Sequence, residues 1–364
     1  MPTSSSTNKC WTSGGFIGQG SFGSVNLAYN KASGNIFAVK SVPYSTHSYD
    51  NSSLQSLENE IMIYRSIKSP YVLSYIDDDV TCEFPGGDVF RRNLHLEYMV
   101  NGTVSDFAKK ISTEYALRSY TRCLTEALRY LTGVGIVHGD VKGKNVLVGD
   151  DSRYAKLADF GSARRLSDGA RMEVVLQGTP LWMAPEVARG EPNSAESDIW
   201  SLGCTVIEMV TGKAPWTNWK TQSPETALFK IGFGEEMPEL PTEMSELGRN
   251  FVGKCLRRNP EERWSSEQLL DHPFLAEEIT EQSPRSVFGS GTKMEKEDNW
   301  NGGTNSDNVA DTDDARRRIM EIANVTVKKW EIEDNEHWDV VRGQDEEDNS
   351  RDGKDSGSDV LTIN

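Results

Sequence analysis

Apolar and polar residues alternate with a period of two along several stretches of the first hundred residues. Val25, Leu27 and Tyr29, for example, fall on one face of an extended segment, which is the pattern of a half-buried β-strand. Strands are predicted at 25–29, 36–42, 71–76 and 94–99. A single amphipathic helix precedes the last two strands, and its apolar face consists of Leu54, Leu57, Ile61 and Tyr64.

Beyond residue 101 the apolar positions recur at helical spacing instead. One long stripe consists of Leu117, Tyr120, Leu124, Leu128 and Leu131. Residues 199–210 are apolar on nearly every face, so this segment is expected to be a buried helix at the centre of a larger unit. Together the patterns predict an α+β protein of two lobes, a small one rich in sheet and a larger helical one, with a ligand site in the cleft between them.

Charge and composition indicate which partners the protein is not expected to bind and in which cell compartment it is expected. The 364-residue chain has a formal net charge of −17, and such a field repels the phosphates of nucleic acids and of anionic membranes. Its five cysteines are scattered without a C-x-x-C pair, which is typical of a reducing compartment and argues against a structural metal. Neither a membrane-spanning run nor a secretory signal is recognisable, so the cytoplasm, the nucleus or both are expected.

The last quarter of the chain is strongly acidic. Residues 281–364 contain 11 Lys and Arg against 21 Asp and Glu, and their richness in Ser, Asn, Gly and Asp predicts that 276–364 is largely disordered. Between 313 and 338 basic and apolar residues mix, with Arg-Arg-Arg at 316–318 and Lys-Lys-Trp at 328–330. We expect this tail to be a regulatory or docking appendage that binds regulators. A solvated amphipathic turn would explain the same short patterns.

A glycine-rich segment leads into the first predicted strand. Residues 18–25 read Gly-Gln-Gly-Ser-Phe-Gly-Ser-Val, and glycines without side chains let backbone amides approach the oxygens of a triphosphate. A plain glycine hairpin has the same letters. A dinucleotide site would instead need a following helix and an acidic residue about twenty positions further on, whereas here the next element reads as a strand.

Two later segments supply the groups that phosphoryl transfer to a hydroxyl requires. Residues 138–145 read His-Gly-Asp-Val-Lys-Gly-Lys-Asn, and residues 159–161 read Asp-Phe-Gly. The reaction needs a base to orient the attacking hydroxyl, ligands for the metal that holds the phosphates, and a cation to balance charge on the transferred group. These roles are predicted, in the same order, for Asp140, for Asn145 with Asp159, and for Lys142.

The two segments resemble the catalytic loop H-R-D-x-x-x-x-N and the magnesium-binding D-F-G turn of eukaryotic protein kinases. Residues 140–145, together with Gly-Thr-Pro-Leu-Trp-Met-Ala-Pro-Glu at 178–186, are similar to plant MEKK-type MAP kinase kinase kinases. Gly139 departs from the kinase pattern, which has arginine at this place. The resemblance implies the bilobal protein-kinase fold, with an N-terminal extension at 1–10, a kinase domain at 11–275 (N-lobe 11–96, hinge 97–101, C-lobe 102–275) and the acidic tail at 276–364.

The resemblance also implies roles for individual residues. Lys40 would bind the α- and β-phosphates and pair with a glutamate of the following helix. Periodicity does not choose between Glu58 and Glu60, whereas family spacing selects Glu60. Thr179 and Lys142 would position a serine or threonine hydroxyl. The predicted nucleotide contacts are Ile17, Gly18, Gly20, Gly23, Val25, Ala38, Lys40, Leu96, Glu97 and Met99.

Three further positions have implied roles outside direct catalysis. Asp198 would brace the catalytic loop, and Arg263 would pair with Glu186. Asp106 is either a ribose contact or a favourable charge at a helix N-terminus.

The sequence therefore predicts a serine/threonine protein kinase that depends on ATP and Mg²⁺ and phosphorylates MAP kinase kinases. A serine/threonine kinase outside the MAP kinase cascade and, because of Gly139, a pseudokinase scaffold are the alternatives. Glycine has no charge to match an activation-loop phosphate, so phosphorylation of that loop is expected to be dispensable. The opposing interpretation is that an arginine captures a phosphate on Ser167, and the candidates are Arg164, Arg165 and Arg171.

Overall fold

The computed structural model describes most of the chain up to residue 276. The described ranges are 10–20, 23–45, 52–82, 88–107, 113–150, 154–167, 178–216 and 223–276. The sequence predictions for the chain before residue 10, for Arg171 and for the tail from residue 277 onward lie outside these ranges.

Five antiparallel strands form the sheet of the small lobe, in the order β1-β2-β3-β5-β4. Their bounds are β1 Trp11–Gln19, β2 Ser24–Asn30, β3 Ile36–Ser45, β4 Tyr75–Cys82 and β5 Val89–Leu96. The register places Val25 opposite Lys40 and Ala38 opposite Leu96. Residues predicted to contact nucleotide thus come from three different strands onto neighbouring positions of one sheet.

Charged residues inside β4 and β5 explain why hydropathy misplaced these strands. β4 starts four residues later than predicted, and β5 starts five residues earlier and ends at Leu96 rather than at residue 99. Arg92 Nη2 on β5 donates to Asp78 Oδ2 on β4 at 2.6 Å, so the two charges compensate each other across the sheet. A pattern of apolar residues alone reads such positions as loop.

The predicted amphipathic helix is present as α1, Ser52–Ser66. Leu57, Ile61 and Tyr64 of the predicted apolar face are buried, which confirms the periodicity. Glu60 is buried as well, so this helix brings a carboxylate into the interior of the protein.

Helices dominate the larger lobe. They are α2 Val104–Phe107, α3 Glu114–Gly133, α4 Pro185–Ala188, α5 Ala195–Thr211, α6 Pro224–Phe233, α7 Glu246–Cys255 and α8 Ser266–Leu270. Within the described ranges four short strands accompany them: β6 Ile136–Val137 pairs with β9 Arg164–Arg165, and β7 Val146–Val148 pairs with β8 Ala155–Leu157. Single 3₁₀ turns lie at Gly143–Asn145, Pro180–Trp182, Pro260–Glu262 and Pro273–Leu275.

The two long helices of this lobe follow their sequence signals closely. All five residues of the predicted stripe on α3 are buried, and α5 is buried from Ser197 to Met209. Ser194 and Ser197 form a capping box at the start of α5, and Gly212 ends the helix with a φ of 63°, a conformation that glycine adopts readily. No helix of the described ranges is long and apolar enough to cross a membrane.

A buried ion pair joins three parts of the larger lobe. Both Nη atoms of Arg263 donate to the carboxylate of Glu186 on α4, at 2.6 and 2.7 Å. The same guanidinium donates to the backbone carbonyls of Glu196 and Arg257, each at 2.8 Å. Arg263 thus ties the turn after α7 to α4 and to the start of α5.

Removing either partner of this pair should destabilise the fold. We expect Arg263→Ala or Glu186→Ala to lower the free energy of unfolding by about 3–5 kcal/mol, because each change leaves an uncompensated buried charge. Urea unfolding measures the loss. Arg129→Ala breaks the half-exposed pair with Glu126, whose atoms are 2.7 Å apart, and as a control should cost about 1 kcal/mol or less. If Arg263→Ala and Arg129→Ala lowered the free energy of unfolding equally, the role given to Arg263 would be contradicted.

Candidate active site

One lysine shared by two carboxylates occupies the centre of the cleft. Lys40 Nζ on β3 lies 2.7 Å from Glu60 Oε2 on α1 and 2.9 Å from Asp159 Oδ1, which follows β8. Glu58, the alternative partner, instead binds Arg92 on β5 at 2.6 Å. The structure therefore places Glu60, and not Glu58, against Lys40.

Burial and ionic attraction oppose each other in this cluster. Burial would lower the pKa of Lys40, but Asp159 and Glu60 outweigh it and raise that pKa. Burial raises the pKa of Glu60 to about 7 against the opposing effect of Lys40. Burial would likewise raise the pKa of Asp159, but Lys40 outweighs it and brings the pKa to about 2. Two carboxylates facing one ammonium leave an excess of negative potential, which suits a further cation.

Asp159 is held in an unusual backbone conformation. Its φ is 64°, which is uncommon for a residue other than glycine and is often found at functional sites. The ring of Phe160, the next residue, packs between Tyr64 of α1 and His138 of the catalytic loop, with both pairs of ring centroids 4.9 Å apart. Packing of this ring fixes Asp159 relative to α1 and to the catalytic loop at once.

The predicted base and its three predicted neighbours meet in one hydrogen-bonded group. The Thr179 hydroxyl donates to Asp140 Oδ1 at 2.7 Å, and Lys142 Nζ donates to Thr179 Oγ1 at 2.6 Å. Lys142 Nζ also lies 2.9 Å from Asp140 Oδ2. Asn145 Nδ2 donates to the Asp140 backbone carbonyl at 2.8 Å and to Oδ2 at 3.1 Å.

The residues present fit a magnesium ion that is held jointly with a nucleotide. The Asn145 backbone carbonyl accepts from Ala158 N at 2.8 Å, which sets Asn145 beside the strand that leads into Asp159. These two side chains offer the hard oxygen ligands that magnesium prefers together with phosphates. Within the described ranges no three His, Cys, Asp or Glu residues form a metal-binding group, so phosphate oxygens would have to complete the coordination.

Asp198 of α5 holds the backbone of the catalytic loop. Its two carboxylate oxygens accept from His138 N at 2.7 Å and from Gly139 N at 2.9 Å. Burial raises the pKa of Asp198, although His138 and the two backbone amides oppose this. The contact has the geometry that the family resemblance implied for this residue.

Sequence reasoning missed a second carboxylate that holds the same loop. Glu208 of α5 accepts from Gly143 N at 2.8 Å, from Ser105 Oγ at 2.5 Å and from Trp182 Nε1 at 3.1 Å. Burial raises its pKa against these bonds. Glu208 is the one charged residue within 199–210, and this was the signal that could have identified it.

Gly139 stands where the kinase pattern has arginine, and neighbouring atoms occupy the space that a side chain would need. Its φ is 77°, and a Cβ atom built there would lie 2.8 Å from both Asn193 Nδ2 and the Ser162 carbonyl oxygen. A side chain at this position would therefore displace its neighbours. Asn193 was missed from the sequence because a polar residue in a loop carries no distinguishing pattern.

The glycine-rich loop lies close to β3, with residues 21 and 22 outside the described ranges. Gly20 N donates to the Gly23 carbonyl at 2.7 Å, and Gly18 pairs with Val25 across β1 and β2. A Cβ at Gly23 would lie 2.3 Å from the Ser41 carbonyl oxygen. Only glycine permits this approach, and it keeps the base of the loop against the strand that carries Lys40.

The segment predicted to bind adenine begins at the end of β5. Leu96 and Met99 are buried. The Glu97 carboxylate accepts from Lys156 Nζ of β8 at 2.7 and 2.9 Å, a partner that sequence reasoning did not identify. Burial would raise the pKa of Glu97, but Lys156 and the Ser74 amide outweigh it and lower that pKa.

Asp106 lies at a helix N-terminus. Its carboxylate accepts from Thr103 N at 3.1 Å and from Thr103 Oγ1 at 2.7 Å. These bonds give it a local role at the start of α2, the second of the two interpretations that the sequence left open.

Comparison with known proteins agrees with this geometry. The model of the protein kinase domain family matches residues 11–275. Mitogen-activated protein kinase kinase kinase 18 of Arabidopsis thaliana is 39% identical over 296 residues, covering 80% of this chain and 84% of that protein. Mitogen-activated protein kinase kinase kinase 17 of the same plant is 42% identical over 269 residues, covering 73% and 69%. The chain belongs to the protein kinase family, and it resembles the plant MAP kinase kinase kinases.

Proposed function

We propose that this protein is a serine/threonine kinase that transfers the γ-phosphoryl group of magnesium-bound ATP to a MAP kinase kinase. The observation that carries the proposal is the contact of Asp140 with both Lys142 and Thr179, beside the Lys40 cluster. The Asp140 group and the Lys40 cluster interact electrostatically, because Lys142 of the first helps to lower the pKa of Asp159 in the second. The substrate class is supported by the names of the similar proteins.

Asp140 is suited to orient a substrate hydroxyl and accept its proton. One of its oxygens already accepts from an aliphatic hydroxyl, that of Thr179, and this contact supports an alcohol as the acceptor. Lys142 reaches both residues and places positive charge where negative charge grows on the transferred group.

Lys40 is suited to bind the nucleotide phosphates, and Glu60 holds it in place. The glycine-rich loop lies over this lysine, since a Cβ at Gly20 would be 3.0 Å from Lys40 Cε. When bound through Asn145 and Asp159, magnesium would neutralise charge on the triphosphate.

The two alternatives differ from this proposal in measurable ways. A pseudokinase scaffold would not transfer phosphate, yet the lysine, the base and both predicted metal ligands are all present, with Lys40 in contact with Asp159 and Asp140 in contact with Asn145. A kinase outside the MAP kinase cascade would fail on a panel of purified MAP kinase kinases while it phosphorylates other proteins.

We predict that Lys40→Met, Asp140→Asn and Asp159→Asn each lower the rate of γ-phosphoryl transfer by ~10²–10⁴-fold or more, because positioned base catalysis and charge neutralisation have this magnitude. Transfer of labelled phosphate to a generic basic protein measures the rate. Lys144→Met alters an exposed lysine of the same loop and should leave the rate within about twofold. A folded variant of the first three with a near-normal rate would refute the role assigned to that residue.

We predict serine and threonine, and not tyrosine, as the acceptors. The contact of Lys142 with Thr179 beside Asp140 supports this, because the pair resembles that of serine/threonine kinases, and tyrosine kinases carry different residues at both places. Phosphoamino-acid analysis of phosphorylated MAP kinase kinases tests this, and predominant phosphotyrosine would overturn it.

We infer that phosphorylation of the activation segment is not needed for activity. Arg164 Nε donates to the Asn193 carbonyl at 3.0 Å, and Arg165 Nη2 donates to Ser66 Oγ of α1 at 2.6 Å. Both arginines that could capture a phosphate on Ser167 within the described ranges thus already have partners. These contacts hold β9 without a phosphate.

The expected outcome is that phosphatase-treated enzyme carrying Ser162→Ala and Ser167→Ala retains the rate of untreated wild type. Arg164→Ala should reduce the rate more than the serine changes do, since it removes a contact that holds β9. A loss greater than about tenfold in the serine variant, equivalent to ~1.4 kcal/mol in the barrier, would show that a loop phosphate is required.

A further inference from the structure

Helix α6 presents two aromatic rings that the described residues leave largely uncovered. Phe229 and Phe233 are 66% and 62% exposed, and their ring centroids lie 5.3 Å apart. Met237 and Leu240, which follow in the chain, are also exposed. Single exposed apolar residues are ordinary, but neighbouring large ones mark a binding surface. We call these four residues the α6 surface.

Most of the charged residues near the α6 surface in the sequence are acidic. Residues 224–243 contain one basic residue, Lys230. The exposed glutamates of this stretch are Glu225, Glu235, Glu236, Glu239 and Glu243. An occupant that matches this surface combines apolar side chains with positive charge.

The backbone beneath the α6 surface is firmly held. Arg189, which follows α4, donates from Nη1 to the Gly232 carbonyl at 3.2 Å. Arg258, which follows α7, donates to the carbonyls of Ile231 and Glu236 at 2.5 and 2.9 Å. An occupant would bind a preformed surface, which lowers the entropic cost of docking.

One segment of this same chain has the matching chemistry. Residues 316–332 contain five Lys and Arg against two Glu, whereas the rest of 281–364 contains six basic and 19 acidic residues. The segment also contains Trp330 and aliphatic residues such as Ile319, Ile322 and Val327. It is thus a local reversal of charge, with apolar residues, inside an acidic region.

The length of chain between the two parts permits the contact. Residue 276 and residue 316 are 40 positions apart, and an extended chain of this length reaches about 130 Å. A folded domain of about 265 residues has a radius of gyration of only about 18 Å. Covalent connection also raises the effective concentration of the segment, so even a weak contact is substantially occupied.

We propose that residues 316–332 dock on the α6 surface of their own chain. The apolar residues of the segment, Trp330 among them, cover Phe229 and Phe233, and its basic residues face the surrounding glutamates. Because α6 packs on α4 and on the Pro180–Trp182 turn, the docked segment lies next to the end of the site where Thr179 would meet a protein substrate.

The test is site-specific photocrosslinking in the full-length chain. With p-benzoylphenylalanine in place of Phe233, irradiation should join this position to residues 316–332 within one chain, as peptide mapping of the monomer would show. The same probe in place of Tyr115, a 67% exposed aromatic residue on α3, is the matched control and should not capture that segment. The readout does not require phosphoryl transfer, so it is independent of the proposed activity.

Changes in the segment define which outcome supports the proposal. Reversing its charge with Arg316→Glu, Arg317→Glu and Arg318→Glu, together with Trp330→Ala, should lower the crosslink yield at least about fivefold. Glu346→Lys with Glu347→Lys, in an acidic run of the same tail, should not lower it. Because charge contributes, raising the ionic strength from about 0.05 to about 0.5 M should also reduce the yield.

Three results would overturn the proposal. The first is that Phe233 crosslinks to another part of the tail or to no part of it. The second is a concentration-dependent crosslink between two copies of the chain. The third is a crosslink that forms only with an added protein substrate. The second would assign the α6 surface to self-association and the third to substrate docking.

Discussion

A lysine ammonium withdrawn from water costs several kcal/mol unless carboxylates replace its hydration. In this kinase the replacement comes from two directions: α1 of the small lobe supplies Glu60, and the turn after β8 in the large lobe supplies Asp159. Neither carboxylate reaches Lys40 unless its own element is correctly placed. The charge balance at one buried atom therefore ties the position of α1, the conformation of the Asp159 turn and the closure of the cleft to each other.

The larger lobe uses a related principle to shape its catalytic loop. Asp198 and Glu208, both on α5, accept hydrogen bonds from backbone amides of the loop. Backbone amides buried in a cleft need such acceptors, since an unpaired one would cost roughly 1–3 kcal/mol. The largely buried helix α5 thus contributes to the core and also fixes the backbone of the loop.

Sequence alone predicted those parts of the protein in which neighbouring residues carry the signal. The helical stripes of α1 and α3 and the two catalytic segments are of this kind, because periodicity and motif spacing are local. Charge pairs across a sheet are not local, which is why the parts of β4 and β5 around Asp78 and Arg92 read as loop.

The same limit applied to single contacts in the site. Periodicity did not choose between Glu60 and Glu58, because that choice depends on the rotation of α1 relative to β3; family spacing selected Glu60, which contacts Lys40. Asn193 and Lys156 act through contacts with residues more than 30 positions away. Their neighbours in sequence contain no trace of those contacts.

The crowding around Gly139 constrains the order in which this region can change. A single substitution from glycine to arginine would meet a positive φ, the Asn193 side chain and the Ser162 carbonyl together. A smaller residue in place of Asn193 would relieve only one of these obstacles, because the Ser162 carbonyl belongs to the backbone. A phosphate-responsive arginine is thus separated from the present loop by several coupled changes, each of which would have to be tolerated before the last one became useful.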